Sequence, residues 1–281
     1  MEKLVDLHTH TNASDGSLSP RKLVELAKQQ GLSAIAVTDH DTTDGLAEAM
    51  QAGKELGVEV IPGVELNALY GEYPVHILGL FIPLQSKELE EFLAVRKTCR
   101  QNRNRRMLSR LEAAGLPISA KEVAEAGNGT ITRAHMAQVL IQNGAAKDID
   151  DAVTRYLSKG KPGYVRMEGT TPLECIHILH RVGALAFVAH PNQISRHSAD
   201  TSLAVCRRIL QWGADGLETR YCQYDRDWQA RTLTMAEEFN CLQSGGSDYH
   251  GPIKPGLLLG SGYGELGVPY SFVEKMKERL L

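Results

Sequence analysis

The sequence predicts an α/β fold, a largely parallel sheet interrupted by a helical insertion. Three observations carry that expectation. Over the first 80 residues, short apolar runs alternate with amphipathic stretches. The alternation resumes near Thr171. Between them, from Ser86 to about Tyr164, the pattern is mostly helical and contains no clear strand. Repeated βα units build a largely parallel sheet, either open or closed as a barrel.

Residues 3–7 read as the first strand. Ser19-Pro20 then starts a helix, because serine caps a helix and proline suits its first turn. Leu23, Leu26 and Ala27 follow helical spacing, and Gly31 ends the element. Residues 34–38 form a second strand, 43–56 a helix closed by Gly57, 58–61 a third strand and 75–81 a fourth. In the insertion, helices are expected over residues 120–126, 133–143 and 149–157. Afterwards come a helix at 172–182, a strand at 184–189, a helix at 203–212 and a strand at 216–219. A helix at 227–239, a strand at 241–245 and a closing helix at 269–281 complete the chain. The division expected is a barrel-type domain of residues 1–85 and 165–281 with an inserted helical subdomain of residues 86–164.

A chain of 281 residues with 42% hydrophobic and 23% charged residues has the composition of an ordinary folded protein with a sizeable core. Its net charge of −3 does not suit a nucleic-acid-coating protein, so an anionic substrate must be attracted locally. The N-terminus, MEKLVDLHTH, has no apolar signal region, and no run approaches the ~20 apolar residues of a membrane span. The five cysteines form no CxxC pair and are odd in number, as expected for free thiols in a reducing compartment. The expected location is cytoplasmic, without a membrane or an obligate protein partner.

The chemistry-bearing residues track the strand ends. His8-Thr9-His10 follows the first strand, where residues two apart point the same way and can share a metal. The second strand ends in Asp39-His40-Asp41, the third in Gly63-Val64-Glu65, another in His190-Pro191 and the last in Asp248-Tyr249-His250. Asp15 lies in the first loop, and His76 starts the fourth apolar run. Six of the ten histidines thus fall where the strands of a parallel barrel converge on one face. Imidazoles mixed with carboxylates suit Zn²⁺, Mn²⁺ or Fe²⁺ better than Ca²⁺, and the lack of a nearby cysteine argues against a thiolate zinc site. The candidate ligands are His8, His10, Asp15, His40, Glu65, His76, His190, Asp248 and His250, too many for one ion. They point to two or three divalent ions with a bridging carboxylate. Asp39 and Asp41 are read as orienting residues rather than ligands. His177 and His180 share a helix expected on the outside, and are read as structural.

The motifs DLHTHTNASDG, AVTDHDT, PGVELNA, HILGL, FVAHP and SGGSDYHG, in this order, resemble the PHP (polymerase and histidinol phosphatase) family of metal-dependent phosphoesterases. They span almost the whole chain outside the insertion. The resemblance implies a distorted (β/α)7 barrel with a helical insertion and a site for up to three metals. Mn²⁺ is the leading ion, with Zn²⁺, Fe²⁺ or Mg²⁺ as alternatives. It further implies that His8, His10, Glu65 and Asp248 hold one ion, Asp15, His40 and His250 a second, and Glu65, His76 and His190 a third, with Glu65 as the bridge. Some family members carry histidine where Asp15 stands. The segments ITRAHMAQVLIQNG and YLSKGKPGYV resemble a bacterial branch that contains 3′,5′-nucleotide bisphosphate phosphatases and 5′→3′ exoribonucleases.

The expected activity is therefore removal of the 3′-phosphate of a nucleoside 3′,5′-bisphosphate, such as adenosine 3′,5′-bisphosphate, by a metal-bridging hydroxide. The alternatives are 5′→3′ cleavage of short 5′-phosphorylated RNA and hydrolysis of another small phosphomonoester. The partner is thus a nucleotide or short RNA substrate. Arg133 and His135, at a helix start beside Thr132, are candidates for a second phosphate. Arg220 follows a strand directly and is expected to face the site. His197, in the loop after His190, is the candidate acid for the leaving oxygen. The run Arg96, Lys97, Arg100, Arg103, Arg105, Arg106 and Arg110 is expected to be a solvated face paired with the acidic stretch 88–91. The alternative is an electropositive wall leading to the site.

Overall fold

The computed structural model describes residues 3–126, 131–166 and 169–281. One eight-stranded sheet runs β7-β6-β5-β4-β3-β2-β1-β8. Its strands are β1 (Leu4–Thr9), β2 (Ala34–Val37), β3 (Glu59–Tyr70), β4 (Tyr73–Leu80), β5 (Leu185–Val188), β6 (Gly216–Tyr221), β7 (Leu242–Gly246) and β8 (Val268–Pro269). A parallel bridge from Thr9 to Tyr249 brings β1 against the chain that leaves β7, so the sheet curls into a nearly closed barrel. Gly246 makes that approach feasible, because a Cβ there would lie 2.5 Å from the His8 backbone nitrogen.

Helices α1 (Pro20–Gln29), α2 (Leu46–Leu56), α7 (Pro172–Arg181), α8 (Ala199–Gln211) and α9 (Arg226–Glu238) cover the barrel. Their apolar faces meet the outward residues of the strands, such as Ile35, Val37 and Val64, in one large buried cluster. A smaller cluster fills the interior with Leu7, Ala36, Ile61, Leu78 and Phe187. Helix α10 (Ser271–Leu280) packs Phe272, Val273 and Met276 into that interior cluster. Ser19 caps α1 as expected, its side chain accepting from the Lys22 N–H.

The sheet departs from the expected parallel pattern at β4. This strand pairs antiparallel with both β3 and β5. A tight turn at Gly71, with φ +60°, joins β3 to β4. The reversal places the start of β4 at the same end of the barrel as the finish of β3, with His76 opposite Asn67. The short β8, antiparallel to β1, takes Pro269 from the start of the segment expected to be helical, and the closing helix begins at Ser271. Helix α8 starts earlier than its apolar periodicity suggested, because Ser198 caps a polar first turn.

Between β4 and α7 lie α3 (Lys87–Ala113), α4 (Ala120–Ala126), α5 (Arg133–Gln142), α6 (Ile149–Ala152) and a π-helical turn, Val153–Leu157. These helices surround a core of their own that includes Met107, Leu111, Val123, Met136, Leu140 and Leu157. Helix α3 belongs to both bodies, since its Leu89 and Leu93 pack into the outer barrel cluster while Met107 and Leu111 pack into the insertion.

Two strands carry register shifts that decide what faces the interior. In β1, Asp6 is opposite Ile35 but Thr9 is opposite Val37, an extra residue on β1. Such a bulge re-aims a side chain. Leu7 stays in the interior core, and His8 also turns inward to meet Glu65 and Glu218 from across the barrel. In β6, Glu218 is opposite Ser244 but Arg220 is opposite Gly245. That extra residue swaps the faces of Arg220 and Tyr221.

Candidate metal centre

Glu65 sits at the middle of the site. It is almost fully buried, and five imidazoles approach its two oxygens. His8 Nε2, His10 Nε2 and His40 Nδ1 lie 3.5, 3.4 and 2.8 Å from Oε2. His76 Nδ1 and His190 Nε2 lie 2.7 and 3.0 Å from Oε1. Asp248 Oδ1 is 3.2 Å from His10 Nε2 and 3.5 Å from His8 Nε2. At one end, Asp15 lies 3.4 Å from His250 Nε2 and 3.8 Å from His40 Nε2. All nine sequence-predicted ligands are thus brought together.

The donor set fits divalent ions. Three groups have ligand atoms mutually within 4.8 Å: His10, Asp15, His40 and His250; His8, His10 and Glu65; and His40, Glu65 and His76. Among the described residues, His8 Nε2, both His10 ring nitrogens and Glu65 Oε2 are buried without a hydrogen-bond partner. Orphaned polar atoms that converge on one point cost free energy unless something binds among them, and an ion would take up the lone pairs they offer. Burial, then the neighbouring His250, pushes His10 down to about 3, which leaves its ring neutral and able to ligate. For His40, burial is outweighed by Glu65 and Asp15, which lift it to about 9 without a metal. Divalent ions would displace that proton.

Neighbouring groups fix the clustered side chains. Glu218 Oε1 lies 3.0 Å from His8 Nδ1, and a carboxylate can only accept. Nδ1 therefore keeps its proton. Burial is outweighed by Glu218, Glu65 and Asp248, which together raise the His8 pKa; a bound ion would take the place of the second proton, on Nε2. The Asp248 carbonyl, 2.8 Å from His250 Nδ1, fixes that ring in the same way. Asp248 divides its oxygens. Oδ1 faces the histidines, while Oδ2 accepts from the Tyr221 hydroxyl and from Lys254 Nζ, each at 3.0 Å. Asp39 and Asp41 are taken up by hydrogen bonds to neighbouring groups. Asp39 accepts from the Thr11 N–H, the Thr11 hydroxyl and the Ser14 hydroxyl, which shapes the loop that carries Asp15. Asp41 accepts from the Asn67 amide group, and Asn67 Nδ2 lies 3.4 Å from His40. Asp41, His190 and Asp248 all adopt positive φ, of 51°, 27° and 53°, strain that a site tolerates when its surroundings over-determine the fold.

The arginine-rich helix corrects the expectation of a solvated face. Arg96, Arg100 and Arg103 are buried. Arg96 Nε donates to Asp41 at 2.6 Å, and Arg100 donates to the other Asp41 oxygen. Burial opposes the Asp41 charge, but Arg100 and Arg96 hold its pKa well below the usual carboxylate range. Burial, then Arg100 and Arg133, push Arg103 down to about 9. Lys97, Arg105 and Arg106 are exposed, and Glu91 pairs with Lys87.

Arg133 and His135 sit at the start of α5, where Thr132 and His135 form a reciprocal cap. His135 lies close enough to Asp15, His250 and His40 to feel their charges, although burial is the main cause of its lowered pKa. Arg133 retains solvent access; surrounding protein, then Arg100 and Arg196, lower its pKa. His197 is exposed in the turn before α8, next to Arg196. Arg220 is not brought to the cluster. The β6 bulge turns it away, to donate to the Gly267 carbonyl at 2.6 Å and lie over the Phe272 ring. His180 pairs with Asp215 on the outside of α7, in keeping with a structural role.

Sequence reasoning missed Glu218, Tyr221 and Lys254. Glu218 had a usable signal, since it shares its strand end with Arg220. Tyr221 had none, because an unseen bulge put it on the opposite face. Lys254 comes from an irregular loop, where neither period applies.

A PHP domain model matches residues 6–168. A 5′-3′ exoribonuclease of Haemophilus influenzae is 36% identical over 90% of this chain and 92% of its own length. A 3′,5′-nucleoside bisphosphate phosphatase of Chromobacterium violaceum is 32% identical, covering 91% of this chain and 90% of its own. A crystal structure described as a metal-dependent phosphoesterase, from Bifidobacterium adolescentis, superposes with a TM-score of 0.87 at 31% identity, covering 99% of this chain and 96% of that one. The chain belongs to the PHP family, and it is a metal-dependent phosphoesterase.

Proposed function

We propose that this chain removes the 3′-phosphate of nucleoside 3′,5′-bisphosphates, with two or three Mn²⁺ ions held by the nine clustered ligands. The observation that carries the reading is the placement of Arg133 and His135, at the start of α5, toward the Asp15 and His250 end of this cluster, with Arg103 beside Arg133. A bisphosphate needs two anion sites, and this arrangement would supply both. Names of relatives support the nucleotide class.

His8, His10, Glu65 and Asp248 would hold one ion, Asp15, His40 and His250 a second, and Glu65, His76 and His190 a third. Bound there, the ions supply Lewis acidity, a water acidified toward neutral pH and neutralisation of the phosphoryl oxygens. Arg133 and the α5 N-terminus bind the 5′-phosphate and orient the nucleoside. His135 stands near Asp15, His250 and His40. Glu218 and Tyr221 hold His8 and Asp248 in place, so the ligands need not reorganise during reaction. His197 is the candidate donor of the proton taken up by the leaving 3′-oxygen. A His197→Ala variant with unchanged turnover on poor leaving groups would exclude it.

A second reading, 5′→3′ exoribonuclease action, is favoured by the names of three relatives at 34–36% identity. The Mn²⁺-loaded protein should release AMP and phosphate from adenosine 3′,5′-bisphosphate. A 5′-phosphorylated RNA trinucleotide tests the second reading in parallel. Inertness on both, with metal loading confirmed, would overturn the nucleotide reading.

A further inference from the structure

Arg220 leads away from the metal cluster into a second cavity. This space, about 220 Å³, is lined by Arg220, Tyr221, Tyr224, Arg226, Gln229 and Tyr263 among others. Tyr221 lines it and also belongs to the metal centre. On one side Tyr221 donates to Asp248 and lies 5.6 Å from the His190 ring. On the other it begins an aromatic series, with Tyr224 at 5.5 Å and Trp228 at a further 5.9 Å, nearly parallel to Tyr224. The cavity adjoins the His190 end of the cluster, whereas the Arg133 and His135 wall adjoins the Asp15 and His250 end.

The chemistry of the lining selects a ligand. Tyr263 is 56% exposed, and a large ring left in water offers a stacking face. Arg226 is exposed at the start of α9, and Arg220 Nε is buried without a partner among the described residues. Aromatic faces beside guanidinium groups suit a base attached to a phosphate backbone. Two acids also line the cavity. Asp225 is committed to capping α9, accepting from the Trp228 N–H at 2.8 Å. Glu265 remains as an acceptor for the amino group of a base.

We propose that this cavity takes the nucleotide on the 3′ side of the scissile phosphate in a single-stranded oligonucleotide. The inference rests on the nucleotide reading above and extends it to longer substrates. In the reaction, water adds its oxygen to phosphorus and the bond to the 3′-oxygen of the first nucleotide breaks. That oxygen leaves with the electron pair and takes up a proton. The phosphoryl group stays on the 5′-oxygen of the second nucleotide, which this cavity holds. A nucleoside bisphosphate has no such residue and leaves the cavity empty.

The test compares kcat and KM on a 5′-phosphorylated RNA trinucleotide and on adenosine 3′,5′-bisphosphate, using Mn²⁺-loaded wild type, Tyr263→Ala, Tyr263→Phe and Arg226→Ala. Both positions are exposed, so melting temperatures check that the variants fold. Tyr263→Ala should raise KM for the trinucleotide roughly 10-fold. Tyr263→Phe should restore it, since stacking needs the ring and not the hydroxyl. Arg226→Ala should raise KM and flatten its dependence on salt. All variants should match wild type on the bisphosphate. Equal losses on both substrates, or no loss on the trinucleotide, overturn the proposal. A wild type that hydrolyses the bisphosphate but not the trinucleotide overturns it while sparing the bisphosphatase reading. A wild type inert on both overturns the two together.

Discussion

Strands β1 and β6 carry the same irregularity with opposite consequences for a reader of the sequence. Each has one extra residue beside the site. In β1 the bulge falls just before the functional pair, so His8 and His10 still face the same way. In β6 it falls between Glu218 and Arg220, and breaks the alternation that would have paired them. The comparison teaches that period-2 reasoning holds downstream of a bulge but fails across one. What the β6 bulge takes from the site in Arg220 it replaces with Tyr221.

Substitutions can break or sharpen that contrast. The largest effect is expected at Glu65, which both strands serve. Glu65→Ala should lower turnover by roughly 10³- to 10⁴-fold and reduce bound metal, as measured by elemental analysis. Next is Asp41, whose removal leaves two buried guanidinium groups uncompensated. Asp41→Asn should cost about 3 kcal/mol in a denaturant titration. The sign with pH follows from its depressed pKa. The Asp41 contribution is fully present above the unfolded carboxylate value of about 4 and is lost as pH falls toward its folded value. The wild-type stability curve should therefore decline below about pH 4 more steeply than that of the asparagine variant.

On β6 itself, Glu218→Gln should reduce metal affinity or activity about 10- to 100-fold, because the His8 tautomer is no longer enforced. Tyr221→Phe removes one of two donors to Asp248 Oδ2 and should cost about 10-fold at the lower end of that range. Arg220→Ala should change bisphosphate turnover least, by under about 2-fold, since no part of the cluster touches it. An Arg220→Ala loss as large as that of Tyr221→Phe would show that the bulge does not separate the two faces.

Much of the site was legible because its clustered histidines and carboxylates lie at strand ends, where the residue type alone points to metal chemistry. Even His76, at the start of its strand, was marked by its motif, though only the reversed direction of β4 explains its place. The arginine run was less legible. Helical spacing puts Arg96, Arg100 and Arg103 on one face, but charge alone does not say whether that face is wet. The answer depends on Asp41, a partner 55 residues from Arg96 in the chain. Lys254, from a loop, had no periodic signal at all.

By itself, then, the sequence determined the α/β class, the helical character of the stretch between β4 and α7 and the identity of the nine clustered groups, because local periodicity and residue chemistry are written in neighbouring positions. The tertiary structure decided the direction of β4, the exchange of Arg220 for Tyr221 and the burial of the α3 arginines. Each of these depends on which distant segment lies opposite, and a one-residue shift in that pairing changes the face of a side chain without changing any local pattern.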